Sequence, residues 1–373
     1  MNILIIALSG IGDALMFTPA LEKLSDEIPS AEIDVLVMFK GVKDIYEKLP
    51  QISKVRYFDF LNSSKLNSLS YVLKLRNKYD ATINIYPSNR REYNLISRII
   101  GAEKRLAIKY LRKDFLNFGF LNNTRLLEND NLHNVEENFF LSEKLIGKKS
   151  DTIPPLKLNL RNDDLSFADN FFKNKSISNS DSVVGFHPGC STLKNHEKRR
   201  WEADKFAKLG KRLIQEYNAK VLLFGGGEEE ILKEIILAKI DSPNVYSINA
   251  QSLSNSAAIM KRCNLFITND SSLMHVAAAL KLNIVAIIGP TNKNYIYPWQ
   301  TNYKIASLNL DCSPCFYYSP KPLTCYRNDV KFKCIKDLSV DLVYEKAKEQ
   351  AQNFSFTHSY DDIAQEFLNE LEH

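Results

Sequence analysis

Four segments of this sequence place glycines, hydroxyls, cations or carboxylates directly after a run of apolar residues, where an anion could be held or a proton moved. The first is Ser9-Gly10-Ile11-Gly12-Asp13-Ala14-Leu15. Gly10 and Gly12 let the backbone close on a ligand and leave a helix N-terminus open to an anion. Asp13 offers a carboxylate at the helix start, although a first-turn aspartate that only matches the helix dipole has the same signature. Leu15 stands where a dinucleotide fingerprint needs a third glycine, and the second apolar run ends Met38-Phe39-Lys40 with no acid, which disfavours a nicotinamide-dependent oxidoreductase. The second segment, His187-Pro188-Gly189-Cys190-Ser191-Thr192, is followed by Lys194, Lys198, Arg199, Arg200 and Trp201. Small hydroxyl residues in a turn beside cations suit a phosphate, while Trp201, opening the next helix, is expected in the core.

The third segment is Gly225-Gly226-Gly227-Glu228-Glu229-Glu230. Gly226 and Gly227 permit close backbone approach, and Glu229 could accept from ribose hydroxyls; glutamates that merely complement a helix dipole are the alternative. The fourth runs Asn269-Asp270-Ser271-Ser272-Leu273-Met274-His275 into an alanine-rich helix. Its amides at Ser271, Ser272 and Leu273 could hold a diphosphate without a metal, whereas Asp270 alone could be an N-cap and His275 alone a hydrogen-bonded core residue. Late in the chain, Cys312-x2-Cys315-x9-Cys325-x8-Cys334 offers four thiols with one close pair, which leaves open a structural zinc, a local disulfide or reduced cysteines.

These turns need strands to end on and helices to begin. Strand-like runs are expected at 3–8, 33–39, 81–85, 183–186, 221–224, 245–248, 265–268 and 284–288, with helices at 14–24, 42–49, 71–78, 165–173, 202–217, 228–239, 253–261 and 273–280. Strand, turn and helix in alternation give an α/β fold with parallel sheets covered on both faces. The polar run 174–181 reads as an exposed connection, so two doubly wound domains are expected, 1–170 and 171–340, enclosing a ligand cleft.

The 373 residues, 45% hydrophobic and 25% charged, exclude collagenous, disulfide-dense and largely disordered classes. A net charge of +5 demands no nucleic-acid partner, and the six-residue opening apolar run is too short for a signal peptide or a membrane span, so a cytoplasmic protein is expected. Charge is uneven. Eight basic residues between Tyr86 and Lys113, including Arg90 and Arg91, face only Glu92 and Glu103, while the stretch from Leu338 onward is acidic. The basic stretch is either a solvated surface or the place that meets an anionic substrate or membrane.

Taken together, Gly10-Ile-Gly-Asp13 with Thr18-Pro-Ala-Leu21, His187-Pro-Gly189, the Gly225–Gly227 turn, Asn269-Asp-Ser-Ser-Leu-Met-His275 with its alanines, Gly289-Pro-Thr291 and Cys312-Ser-Pro-Cys315 resemble glycosyltransferase family 9, the lipopolysaccharide heptosyltransferases. The resemblance implies a GT-B architecture of two Rossmann-like domains, with the last helices, about 340–373, crossing back onto the first. It implies an inverting, metal-independent transfer of a sugar from a nucleoside diphosphate such as ADP-heptose to a lipopolysaccharide core or another anionic glycan, with no cofactor. A GT-B-shaped nucleotide-sugar epimerase and a non-catalytic nucleotide-sugar-binding protein are the alternatives.

By the same resemblance Asp13 is the general base and the first domain receives the acceptor, and the glycine loop and basic stretch make Gly10, Gly12, Arg90 and Arg91 the residues expected to meet it. The resemblance gives Asp270 and the amides of Ser271, Ser272 and Leu273 to the sugar and diphosphate, and the turn segments add Gly189, Ser191, Thr192, Lys194, Gly226, Gly227, Glu229 and His275 as residues expected to meet the donor. Relatives neutralise the leaving group with a lysine two residues before the tryptophan; here Arg199 holds that place and Lys198 precedes it. Peripheral contact with the inner membrane is also implied. The chemistry asks for such parts: without an Asp-x-Asp metal site, a helix dipole and cations must carry the leaving-group charge, and a carboxylate must take the acceptor's proton.

Overall fold

The computed structural model describes residues 1–317 and 322–352, with the side chains of Lys194 and Gln352 outside the described set. The chain divides into two units. The first comprises Met1–Asn159, Thr291–Gln300 and Pro314–Leu323, and the second comprises Leu160–Pro290, Thr301–Ser313 and the described residues from Thr324.

In the first unit the strands are β1 (Asn2–Ala7), β2 (Glu32–Val37), β3 (Lys54–Tyr57), β4 (Ala81–Asn84), β5 (Lys104–Lys109) and β6 (Thr124–Leu127). They form a parallel sheet in the order β3-β2-β1-β4-β5-β6. The second unit holds β7 (Val183–His187), β8 (Lys220–Leu223), β9 (Val245–Ser247), β10 (Leu265–Asn269), β11 (Ile284–Ile287) and β12 (Tyr303–Ala306), in the order β12-β11-β10-β7-β8-β9 and again parallel. Both sheets therefore reverse direction of growth beside their first strand, between β1 and β4 and between β7 and β10. Each has the Rossmann order, in which ligands bind beyond the carboxyl ends at that reversal. The central strands are apolar runs because helices cover both faces; Ile3–Ala7 is wholly buried.

All eight expected strands form. Four more, β3, β5, β6 and β12, carry Lys or Arg that obscures their pattern, and β3, β6 and β12 lie at sheet edges, where charge on a strand guards an open rim. The helix expected at 14–24 is two, Ile11–Met16 and Thr18–Glu27, because Pro19 lacks an amide hydrogen and restarts the helix at its own first turn. The helix expected at 71–78 lies earlier, at Lys65–Leu73, opened by the Ser64 hydroxyl accepting from the Asn67 amide. Two further helices, Arg91–Ile100 and Asn134–Ile146, bury Asn94, Ser97, Asn134, Asn138 and Glu137, polar residues that hide an apolar face from a reading by period.

The division between units falls at Asn159, not near 170. Helix Asn162–Asn174 packs on helix Leu253–Met260, with Asn255 Nδ2 donating to Asp164 Oδ1 at 3.2 Å and the Arg262 guanidinium 3.8 Å above the Phe172 ring. Residues 291–300, expected in the second domain, belong to the first unit: Trp299 Nε1 donates to the Pro154 carbonyl at 3.1 Å. Of the segment expected to return to the first domain, the structure describes only the beginning, to residue 352. Helix Val340–Gln352 packs on the second sheet and helix Ala203–Tyr217, with Tyr344 buried against Arg212 and Gln350 Nε2 donating to the Ile284 carbonyl at 3.2 Å; residues 353–373 lie outside the described set.

Trp201 sits where expected, 1% exposed among Phe186, Phe206, Leu209 and Ile335, its indole donating to the Leu338 carbonyl at 2.9 Å. Burial of such a side chain contributes roughly 1.5–3 kcal/mol. Among the described residues no helix is long and apolar enough to cross a membrane.

Candidate functional site

The loops that follow β7 and β10 are stitched together at the reversal point of the second sheet. Asn269, the last residue of β10, accepts from the Trp201 amide at 2.9 Å through Oδ1 and donates through Nδ2 to the Pro188 carbonyl at 2.7 Å. One side chain thus ties the β10 end to the loop after β7 and to the start of the next helix. His187 Nδ1 lies 2.8 Å from Ser271 Oγ, and Thr268 Oγ1 lies 3.2 Å from the same hydroxyl. Ser271 has extended backbone and caps helix Ser272–Ala279, so the first amides of that helix, at Ser272 and Leu273, point beyond the strand end.

Asp270, 5% exposed, forms an ion pair with Arg199, 7% exposed. Burying a carboxylate so deeply is tolerable only with a cation on it, and Arg199 supplies that from the 3-10 turn Leu193–Arg199. The neighbouring Arg200 reaches the other way, donating to the Cys190 carbonyl and standing 3.8 Å from Glu229. Glu229 accepts the Gly226 amide at 2.8 Å; burial pushes its carboxyl up, opposed by that amide and by Arg200. Gly189 packs on this carboxylate so closely that a Cβ there would lie 2.3 Å from Glu229 Cγ, and Gly225, at φ +153°, would meet the same side chain at 2.8 Å. The glycines of two loops are therefore required by one glutamate.

The two buried histidines at this strand end, His187 and His275, stay uncharged. Burial, reinforced by Arg200, pulls His187 down to about 3, and burial outweighs the Asp270 charge to bring His275 down to about 4. His275 Nδ1 finds no hydrogen-bond partner among the described residues. The two imidazoles therefore add no charge to this strand end near neutral pH.

Of the donor residues expected from the sequence, Gly189, Glu229, Asp270, Ser271, Ser272, Leu273 and His275 surround this strand end. Ser191, Thr192, Gly226 and Gly227 are exposed at its margin, where Thr192 Oγ1 donates to Glu228 at 3.0 Å. Lys198 is exposed, so Arg199 is the cation buried against Asp270; the Lys194 side chain lies outside the described residues. Three framework residues, Arg200, His187 and Asn269, stand inside the quoted motifs but were not assigned site roles by sequence, because their partners are more than 60 positions away or on another loop.

In the first unit Asp13 follows β1, half-buried, and its Oδ2 accepts the Gly10 amide at 3.0 Å. The carboxylate thereby caps its own short helix, with Gly12 buried beneath it. Tyr46 Oη donates to the Ala14 carbonyl at 3.1 Å and Tyr93 Oη to the Leu8 carbonyl at 2.6 Å, bracing the loop from two sides. Burial raises both phenols, Tyr93 to about 12, with Asp13 adding to each and Arg90 opposing at Tyr93. Arg90 lies 6.0 Å from the Tyr93 ring centre, while Arg91 turns away to donate to the Leu116 carbonyl at 2.8 Å. Among the described residues no disulfide joins the cysteines and no three potential metal ligands converge.

The sequence profile of glycosyltransferase family 9 (heptosyltransferase) matches residues 69–326. The chain belongs to this family. It is 35% identical over 182 residues to a lipooligosaccharide heptosyltransferase 2 of Campylobacter jejuni, a match covering 48% of this chain and 53% of that protein, so the chain spans about half the length of the Campylobacter relatives it matches. It is 28% identical over 308 residues to the lipooligosaccharide heptosyltransferase 2 of Haemophilus influenzae, covering 80% of this chain and 86% of that one. In fold it is similar to the Escherichia coli ADP-heptose lipopolysaccharide heptosyltransferase II, with a TM-score of 0.72, 22% identity and coverage of 95% and 99%. The family 9 chain has the architecture its sequence led us to expect, two Rossmann-like parallel-sheet domains of GT-B type.

Proposed function

We propose that this family 9 chain moves a heptose from ADP-heptose to a lipopolysaccharide core or a related anionic glycan, inverting the anomeric carbon without help from a divalent ion or cofactor. The observation that carries this reading is the buried Arg199–Asp270 pair beside the open amides of helix Ser272–Ala279, at the reversal point of the second sheet. Fixed donors in a dry setting stabilise charge that develops on a leaving diphosphate, and they need no reorganisation when it appears. The names of the Haemophilus and Escherichia relatives support the donor and acceptor classes.

In the reaction the acceptor's hydroxyl oxygen forms a bond to the anomeric carbon as the bond from that carbon to the diphosphate oxygen breaks. The electron pair leaves on the diphosphate, where Arg199 and the amides of Ser272 and Leu273 meet it, and the hydroxyl proton passes to Asp13. Gly10, Gly12, Arg90 and Arg91 receive the acceptor, and Glu229 the ribose. The reading puts the protein in the cytoplasm, at the inner face of the membrane that carries the acceptor.

The test is transfer of heptose from ADP-heptose to a core acceptor, followed by mass spectrometry. Asp13→Ala should lower transfer by roughly 10²–10⁴-fold while ADP still raises the melting temperature as in the unaltered protein. Full transfer by that variant removes Asp13 from the mechanism. Loss of transfer in EDTA, restored by magnesium, overturns the metal-free route, and turnover of the sugar nucleotide without acceptor makes the chain an epimerase.

A further inference from the structure

Large apolar side chains stand exposed on one connected part of the first unit. Helix Lys65–Leu73 presents Leu66, Leu69 and Leu73 at helical spacing, 78%, 44% and 46% exposed. It packs on helix Arg91–Ile100, which presents Leu95 between Arg91 and Arg98. That helix in turn packs on the 3-10 turns Phe115–Asn117 and Gly119–Leu121, whose Phe115, Leu116 and Phe120 are 76%, 57% and 49% exposed. Phe115 and Phe120 lie 5.2 Å apart between ring centres and Phe118 and Phe120 6.0 Å, so the aromatic residues form one cluster. Between the two helices runs an apolar groove of about 350 Å³, with Leu69 and Leu95 among its lining residues.

The charge around these side chains is mostly positive. Lys65, Arg91, Arg98 and Lys113 belong to these elements or adjoin them; of the acids nearby, Asp114 is held by Arg125 at 3.0 Å and by the Tyr110 amide, and Asp59 accepts from Asn62 in the loop before helix Lys65–Leu73, which leaves Glu92. Exposed Leu and Phe side chains on neighbouring short elements, with cations beside them, match the boundary between lipid headgroups and acyl chains. Ile231 and Ile235, exposed in the second unit, have a different setting, since they share helix Glu230–Ile240 with Glu230 and Glu234.

We infer that this face, built from helices Lys65–Leu73 and Arg91–Ile100 and the turns at 115–121, docks on an anionic lipid bilayer. Phe115, Leu116, Phe120 and Leu66 enter the headgroup region, and Lys65, Arg98 and Lys113 meet lipid phosphates. The inference deepens the proposed function, since it rests on an acceptor carried by a membrane; the binding assay uses neither donor nor acceptor, so the two readings fail separately.

The experiment is vesicle flotation of the full chain with phosphatidylethanolamine–phosphatidylglycerol vesicles and with phosphatidylcholine alone. The unaltered protein should float with the anionic vesicles and stay behind with the neutral ones. Lys65→Glu with Arg98→Glu should weaken partition by roughly 30-fold or more, from the attraction each cation makes to an anionic surface. Phe115→Ser with Phe120→Ser should weaken it at least about tenfold, because two rings no longer enter the acyl boundary. Both pairs should keep the melting temperature and the rate of transfer to a soluble, deacylated acceptor. Absence of binding to anionic vesicles, or binding by both variants equal to that of the unaltered protein, overturns the inference. So does self-association of the unaltered protein that Phe115→Ser with Phe120→Ser abolishes, because the face would then join two copies of the chain.

Discussion

The loops at the reversal points of the two sheets follow the same strand positions, after β1 and β4 in one unit and after β7 and β10 in the other, yet they are held by different forces. In the second unit the loops are bound to each other by buried polar groups: Asn269 spans to Pro188 and Trp201, His187 to Ser271, and Arg199 to Asp270. In the first, Asp13 caps its own helix and two tyrosines brace the loop through backbone carbonyls. On the proposed function, the second unit's loops meet several charges of the donor at once and need cations and amides preset against one another. On the same proposal Asp13, which takes the acceptor's proton, needs only to be positioned. One strand order therefore supports two kinds of site, and the loops carry the difference.

The comparison breaks if the two loops respond alike to mutation. The largest effect is expected from Arg199→Ala, which leaves Asp270 buried without its cation: a loss of about 3–5 kcal/mol in denaturant-induced unfolding, together with loss of the ADP-induced rise in melting temperature. Less than about 1 kcal/mol would mean that Asp270 is solvated in solution and the second site is not preset.

The dependence on pH should have opposite signs in the two units. His187 and His275 titrate at about 3 and about 4 when folded and near 6.5 when unfolded, so below about pH 6.5 the unfolded chain binds more protons and stability is lost as pH falls. His275→Leu should remove part of that acid slope, at most about 1.4 kcal/mol per pH unit. In the first unit burial lifts Glu137 to about 7, with its Oε1 accepting the Asn129 amide at 2.6 Å. Its folded form keeps a proton that the unfolded form releases near 4.5, so its contribution is lost as pH rises toward 7. Glu137→Gln should raise the melting temperature at pH 8 and leave it nearly unchanged at pH 4; the reverse pattern would put Glu137 in an ionised, paired state.

The smallest effect on stability belongs to Asp13→Ala. A helix-capping carboxylate contributes about 0.5–1 kcal/mol, so unfolding should shift by no more than that even as transfer collapses. A shift as large as that of Arg199→Ala would show both loops to be bound by buried charge and end the contrast.

Much of this organisation is legible in the chain. The eight strands expected from apolar runs all form, and each of the four turn segments falls at the carboxyl end of a strand, because β-branched runs closed by Gly, Pro, Asn or Ser are local signals. Strands such as Lys104–Lys109 and helix Asn134–Ile146 escape the same reading. Their charged or polar residues are satisfied by partners far along the chain, such as Asn138 Oδ1 accepting from the Tyr86 amide at 2.8 Å.

The sequence by itself determined the alternation of strands and helices, the two parallel sheets and the residue types at each turn, since backbone preference and hydrophobic period act over a few neighbours. Tertiary structure alone decided that Arg199 rather than Lys198 is buried against Asp270, that Asp13 caps its own helix, and that the units part at Asn159. Burial and ion pairing depend on which distant segments meet, and a chain read residue by residue holds no record of those meetings.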